Sequence, residues 1–165
     1  SNTRRNISKA QKAGLTIREV KIDEFVSLWK SENATMRWDL HSTIQPLVEA
    51  AFSQFSNFNS QFKPHLFGVY KEDQLIASLF GMQTRERFIY LIPVSNQAGK
   101  EHSAMFLLID YIIENICSPN GLTFDCEGSM IEGVARFYRG FGAVEQPYAQ
   151  ISRCRPQWVV RLMHR

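Results

Sequence analysis

The stretch Leu122–Ala143, LTFDCEGSMIEGVARFYRGFGA, sets the narrowest limits on what this chain can become. A strand-like run, Leu122-Thr123-Phe124-Asp125, meets a polar turn, Cys126-Glu127-Gly128-Ser129, and a helical pattern follows. Met130, Val134, Phe137 and Phe141 are spaced to share one buried helix face. Gly142, free to take positive φ, stands where the last turn must close. Such strand-turn-helix units expose polar groups on a rigid support, which suits them to chemistry. This one puts Asp125 and Glu127 at the strand end and Tyr138 one turn before the helix end.

The chain before it supplies a sheet and its covering helices. Thr3–Ala13 is basic, helix-compatible and followed by Gly14 as a stop. Its Arg4, Arg5, Lys9 and Lys12 form one cationic surface, either a solvated helix face or a contact for phosphate or an anionic polymer. Leu15–Val20 alternates as a half-buried strand, and Asp23 is placed to cap a helix through about Asn33 with Phe25, Leu28 and Trp29 inward. Ser42 or Thr43 starts a helix from Ile44 to about Phe58, with Pro46 in its first turn.

A β-meander fills the middle. His65–Tyr70, Leu75–Gln83 and Phe88–Ile92 read as strands joined by short polar turns, a spacing that favours antiparallel neighbours. Pro93 cannot donate to a ladder and is expected to end the third strand. A sheet that opens there leaves backbone N–H and C=O groups available to a ligand. Beyond the polar loop Ser95–Gly99, one long helix is expected over about Lys100–Ile116, with Met105, Leu108, Ile109, Ile112 and Ile116 as its buried stripe. The glycine-containing lead-in to that helix offers free N–H groups to an anion. Tyr148–Arg153 and Trp158–Leu162 read as final strands.

A length of 165 residues with 44% hydrophobic content suits one domain, large enough to bury roughly 70% of the surface its unfolded chain exposes. The net charge of +3 neither requires nor excludes a nucleic-acid or membrane partner. Cys117, Cys126 and Cys154 show no CxxC spacing, so a reducing, cytoplasmic setting is expected and a metal site is not. No apolar run approaches the ~20 residues of a membrane span, and none reads as a signal peptide. Ser1-Asn2, without a methionine, suggests that the natural protein extends further toward its N-terminus.

This order of elements resembles the GNAT superfamily of N-acyltransferases. The resemblance is specific at Ala135–Ala143, where Tyr138 stands four residues before Gly142, a spacing common in that superfamily. The D-x-x-G-S turn Asp125–Ser129, with Phe137 and Phe141-Gly142, is similar to the Fem-type and related GNAT-like acyltransferases. Arg4-Arg5-Asn6-Ile7, Lys9-Ala10 and Lys12-Ala13-Gly14-Leu15 look like the start of their C-terminal half.

The resemblance implies a mixed α/β, three-layer α/β/α fold with a central, mostly antiparallel sheet. It implies residues 1–165 as one acyltransferase domain, compatible with the C-terminal half of a longer tandem protein. The function implied is transfer of an acyl group from acetyl-CoA or another acyl-CoA to a small-molecule or peptide amine. Two alternatives stay open: a Fem-type aminoacyl transferase using aminoacyl-tRNA, with tRNA as partner, and a non-catalytic GNAT-fold binding domain. A homodimer is compatible with all three.

Backbone groups of Leu91, Ile92 and Val94 would then hold the donor where the strand splays, and an N–H there would polarise its carbonyl. In the acyl-CoA loop pattern R/Q-x-x-G-x-G/A, Gln97 takes the first position. Lys100 and His102 occupy the two small-residue positions, and Gly99 lies one place early. Lys100 would contribute charge and His102 an anion contact, or His102 fills the surface or core. Tyr138 would protonate the departing thiolate or else pack its ring; Fem-type enzymes often carry lysine at its place. Glu127 is the candidate general base or a carboxylate satisfied within the turn, Asp125 a brace for that turn, and Cys126 a small buried residue.

Overall fold

The computed structural model describes residues 2–34, 42–55 and 61–147. Helix α1 (Asn2–Lys12) is followed by β1 (Thr16–Glu19), α2 (Ile22–Glu32) and α3 (Ile44–Phe55). The meander β2 (Lys63–Lys71), β3 (Gln74–Gln83) and β4 (Arg87–Ser95) leads into α4 (Gln97–Glu101) and α5 (Ala104–Ile112). A π-helical turn, Ile113–Cys117, and a 3-10 turn, Ser118–Asn120, connect to β5 (Thr123–Asp125) and α6 (Glu132–Arg139). The expected final strands, Tyr148–Arg153 and Trp158–Leu162, lie outside the described residues.

The strands of the described residues form one five-stranded sheet in sequence order, antiparallel throughout except for the parallel β4–β5 pair. Each face of the sheet has its own core, so the fold is the expected three-layer α/β/α sandwich. On one face Phe67, Val69, Leu79, Phe88 and Tyr90 pack under Leu108, Ile109 and Ile112 of α5, with Phe137 and Tyr138 of α6 against them. On the other, Leu66, Tyr70, Phe80 and Val94 meet Phe25, Val26 and Trp29 of α2 and Ile44 and Val48 of α3. Helix α1 buries Ala10 and Thr3 and leaves Arg4, Arg5, Lys9 and Lys12 exposed. Asp23 sits in the first turn of α2 rather than capping it, since the N-cap is Lys21.

A bulge in β4 decides which residues reach the future site. Gly81 lies opposite Tyr90 and Phe80 opposite Ile92, so Leu91 is one extra residue on β4. Side chains on a strand alternate faces, and one extra residue inverts the alternation. Phe88 and Tyr90 accordingly point toward α5 and α6, whereas Ile92 and Val94 point toward α2 and α3. Pairing with β5 stops just before this bulge, at Ile89 opposite Asp125. From Tyr90 to Ser95, β4 has β3 on one side and no strand on the other among the described residues.

Three expectations from the sequence change here. Pro93 does not end its strand: β4 runs on through Ser95, with Pro93 opposite Leu79. Its missing N–H falls on the edge that β5 has already left, where no ladder bond is lost. The single long helix is broken as well. Ser103 takes a left-handed conformation (φ 58°), separating α4 from α5. Gly99 packs so close to β3 that an added Cβ would overlap the Ile76 carbonyl, and α4 cannot continue along the line of α5. Finally, α6 begins at Glu132, and Met130, expected on its buried face, is fully exposed. The helix closes at Gly140, two residues before the positive-φ Gly142.

Candidate active site

A cavity of about 810 Å³ lies between β5, the turn after it, the inner face of α6 and the run after Gly142. Asp125, Cys126, Glu127 and Tyr138 line it together, so the strand-turn-helix unit singled out in the sequence forms one wall.

The turn is held from within. Asp125 Oδ1 accepts the Glu127 N–H at 3.0 Å, and its Oδ2 meets Arg87 Nη1 at 2.7 Å. One carboxylate therefore ties the turn to the first residue of β4. Ser129 Oγ accepts the Ile131 N–H at 3.1 Å and starts the helix that follows. Glu127 is driven to φ 61° and Gly128 to φ 79°. The left-handed region is unfavourable for a non-glycine residue, by about 1–2 kcal/mol. With its N–H held by Asp125, Glu127 is exposed at the cavity, and its carboxylate meets no partner among the described residues.

Tyr138 projects from α6 into the same space. Its ring packs against Tyr90, centroids 5.9 Å apart at 80°, and against Phe137 at 5.7 Å. Burial, with Cys126 adding, pushes its phenol above the usual tyrosine range, so it stays a proton donor through neutral pH. Burial and the Asp125 carboxylate push the Cys126 thiol up to about 11. A thiol so poised is no nucleophile. Arg139, on the next position of α6, is held between Glu132 and Glu145.

The residues expected to hold the donor phosphates sit elsewhere, and none of Leu91, Ile92, Val94, Gln97, Gly99, Lys100 or His102 lines the cavity. Leu91 is exposed at the bulge, Ile92 half-buried and Val94 buried toward α2 and α3. Around α4 the polar groups are engaged locally. Asn96 caps the helix by accepting the Gly99 N–H at 2.9 Å, and Gln97 Nε2 donates to Glu101 at 2.9 Å. Lys100 Nζ lies 3.7 Å from Glu32 on α2. The Lys71 ammonium donates to His102 Nε2 at 2.8 Å, which places the ring proton on Nδ1. As folded, the side chains of Gln97, Lys100 and His102 are each turned to a protein partner.

Two contributors escaped the sequence. Arg87 reaches Asp125 from 38 positions away, and no local spacing announces such a pair. Tyr90 was visible only as an alternation with Phe88, the pattern of any buried strand face.

Among the described residues no His/Cys/Asp/Glu group could hold a metal ion, and no helix is long and apolar enough to cross a membrane. Residues 1–130 match the family model described as an acetyltransferase (GNAT) domain. No curated protein matches the sequence. Among solved structures, the chain is similar to a possible acetyltransferase from Clostridium difficile 630, with 13% identity, a TM-score of 0.62 and coverage of 86% of this chain and 98% of that one. It is also similar to an aminoglycoside antibiotic 6'-N-acetyltransferase from Acinetobacter baumannii, with 11% identity, a TM-score of 0.56 and coverage of 86% and 99%. A third is the ribosomal-protein-alanine N-acetyltransferase from Brucella melitensis biovar Abortus 2308, with 10% identity, a TM-score of 0.56 and coverage of 85% and 99%. At these identities the likeness is one of fold.

Proposed function

The chain belongs to the GNAT acetyltransferase family and is an N-acyltransferase; on that premise we propose that its donor is acetyl-CoA or another acyl-CoA, with Tyr138 and Glu127 serving the reaction. One observation carries this: β5 leaves β4 after Ile89, so the open edge Tyr90–Ser95 and the Tyr138 phenol flank the same split in the sheet. The donor supplies a thioester carbonyl. An N–H of the open edge near Leu91 and Ile92 polarises it, as acyl transfer requires where negative charge develops.

Proton accounting then assigns the side chains. The acceptor amine attacks, an N–C bond forms, and its surplus proton passes to the Glu127 carboxylate, directly or through water. The C–S bond breaks as Tyr138 gives its proton to sulfur. Solvent then relays the proton from Glu127 to the Tyr138 phenolate, and both groups are restored. At the far end of the donor, Lys100 exchanges its exposed 3.7 Å pairing with Glu32 for a phosphate. The acceptor is an amine on a small molecule or a peptide, and the whole chain works as one unit in the cytoplasm.

The engagement of Gln97–His102 favours one other donor, aminoacyl-tRNA, which would not need a pyrophosphate cradle there. Calorimetric titration with acetyl-CoA separates the two. Saturable binding with transfer to a panel of primary amines is expected. No heat at millimolar acetyl-CoA, with transfer from a charged tRNA instead, would replace the first donor by the second.

A further inference from the structure

Tyr90 is a phenol where packing asks only for a phenyl. Its side chain is 5% exposed and lies between Phe124, tilted at 56°, and Tyr138, edge-on at 80°, with each centroid 5.9 Å away. No described residue hydrogen-bonds to its hydroxyl. Every fully buried polar side-chain atom among the described residues has a partner, so this oxygen is where the side chain meets solvent. Phenylalanine would fill the same space with no polar atom to place at the edge of the core.

Both rings against it, Phe124 and Tyr138, line the cavity, so Tyr90 stands immediately behind that wall. Tyr90 is the last residue of β4 to face α5 and α6 before the bulge turns the strand over. One step further along, a side chain would point to the opposite core. The fold thus places one more phenol directly behind Tyr138, at the head of the β4–β5 split.

We propose that Tyr90 is a positioning residue for Tyr138: its ring holds the Tyr138 phenol toward the cavity, and its hydroxyl donates a hydrogen bond to the Tyr138 oxygen when that oxygen has lost its proton. This rests on Tyr138 being the acid of the transfer. Tyr90 gives up no proton itself; it stabilises the phenolate by a charge-assisted hydrogen bond that forms as the charge does. Burial, reinforced by Tyr138 and Cys126, pushes the Tyr90 phenol upward, which keeps its proton in place for that bond.

Tyr90→Phe keeps the ring and removes the donor. A bond of this kind predicts that kcat falls about tenfold while the donor KM stays within about twofold. Wild-type kcat in Tyr90→Phe would overturn the proposal. In a Tyr138→Phe background the same change should be silent, because there is no phenolate left to stabilise. A further tenfold fall there would show a general packing defect and overturn it equally.

The tyrosine 13Cζ spectrum gives an arm that needs no activity. The Tyr138 signal, assigned by its absence in Tyr138→Phe, should move in Tyr90→Phe during titration at alkaline pH, and an unmoved signal overturns the proposal. Should the wild-type chain transfer nothing from acetyl-CoA, the function proposed above fails, and this spectrum still decides the Tyr90–Tyr138 relation.

Discussion

After β4 the chain turns at Asn96 into α4, and after β5 it turns at Cys126–Ser129 into α6. The two units are built alike but dispose of their polar groups in opposite ways. Around α4 a cap, a side-chain pair within the helix, an ion pair to α2 and a contact with Lys71 engage Gly99, Gln97, Lys100 and His102 in turn. Around β5 a single carboxylate, Asp125, secures the turn, and beside the cavity the Glu127 carboxylate and Tyr138 hydroxyl have no hydrogen-bond partner among the described residues. A unit whose side chains satisfy one another must give up a contact before it can take a ligand. One whose bracing is delegated to a single residue leaves its neighbours free for a substrate.

Substitutions can break that contrast. The largest effect is expected from Tyr138→Phe, which should lower kcat by about a hundredfold with no change in melting temperature, as loss of a general acid does. Unchanged turnover would remove Tyr138 from the mechanism. Next comes Gly99→Ala. Its Cβ would overlap backbone at Ile76, so unfolding in urea should show a loss of about 2 kcal/mol, with the turnover of the remaining folded protein intact. A stable Gly99→Ala protein would mean that α4 is not pinned to β3.

Asp125→Ala should cost about 1 kcal/mol, since its partner Arg87 is half-exposed, and should lower kcat/KM for the amine about tenfold while sparing the donor KM. Equal loss for donor and acceptor would contradict a brace confined to the Glu127 turn. Lys100→Glu opposes Glu32 and should change stability by only a few tenths of a kcal/mol, with a higher KM for acetyl-CoA. An unaltered KM would leave α4 as scaffold alone.

His65 on β2 lies in neither unit and serves as the control. Burial lowers its imidazole below the ordinary value, with the Gln83 hydrogen bond opposing in part. The unfolded chain therefore binds that proton more readily. Stability present above the ordinary histidine range is lost as pH falls through it. His65→Gln should flatten the decline in melting temperature between about pH 7 and 5. An unchanged slope would assign the decline to other groups.

How much of this was legible depends on whether the signal was local. The β2–β3–β4 meander could be read because short polar turns separate its apolar runs. Tyr138 and Glu127 could be read because the turn and the helix stop frame them within twenty residues or so of chain. The break at Ser103 could not, because the apolar stripe of α5 resumes just past it and sequence spacing sees one helix. Met130 misled for the complementary reason: it has the helical spacing but precedes the helix. Lys100 and His102 were visible as departures from the loop pattern, yet their partners Glu32 and Lys71 lie far off in sequence. The bulge at Leu91 was hidden because β4 is apolar on both faces, so its alternation carries no phase.

That bulge also limits how this gene can change its length. Along most of a loop, losing a codon removes a residue and little else. At Leu91 the same holds, since without it Tyr90 and Ile92 would be neighbours opposite Gly81 and Phe80 on the faces they have now. At Ile92 the loss would instead bring Pro93 into the core facing α2 and α3 and turn Val94 toward α5 and α6. Three nucleotides lost beyond the bulge would carry the end of the strand from one core to the other. A strand that divides its side chains between two cores in this way accepts substitution far more readily than it accepts a change in count.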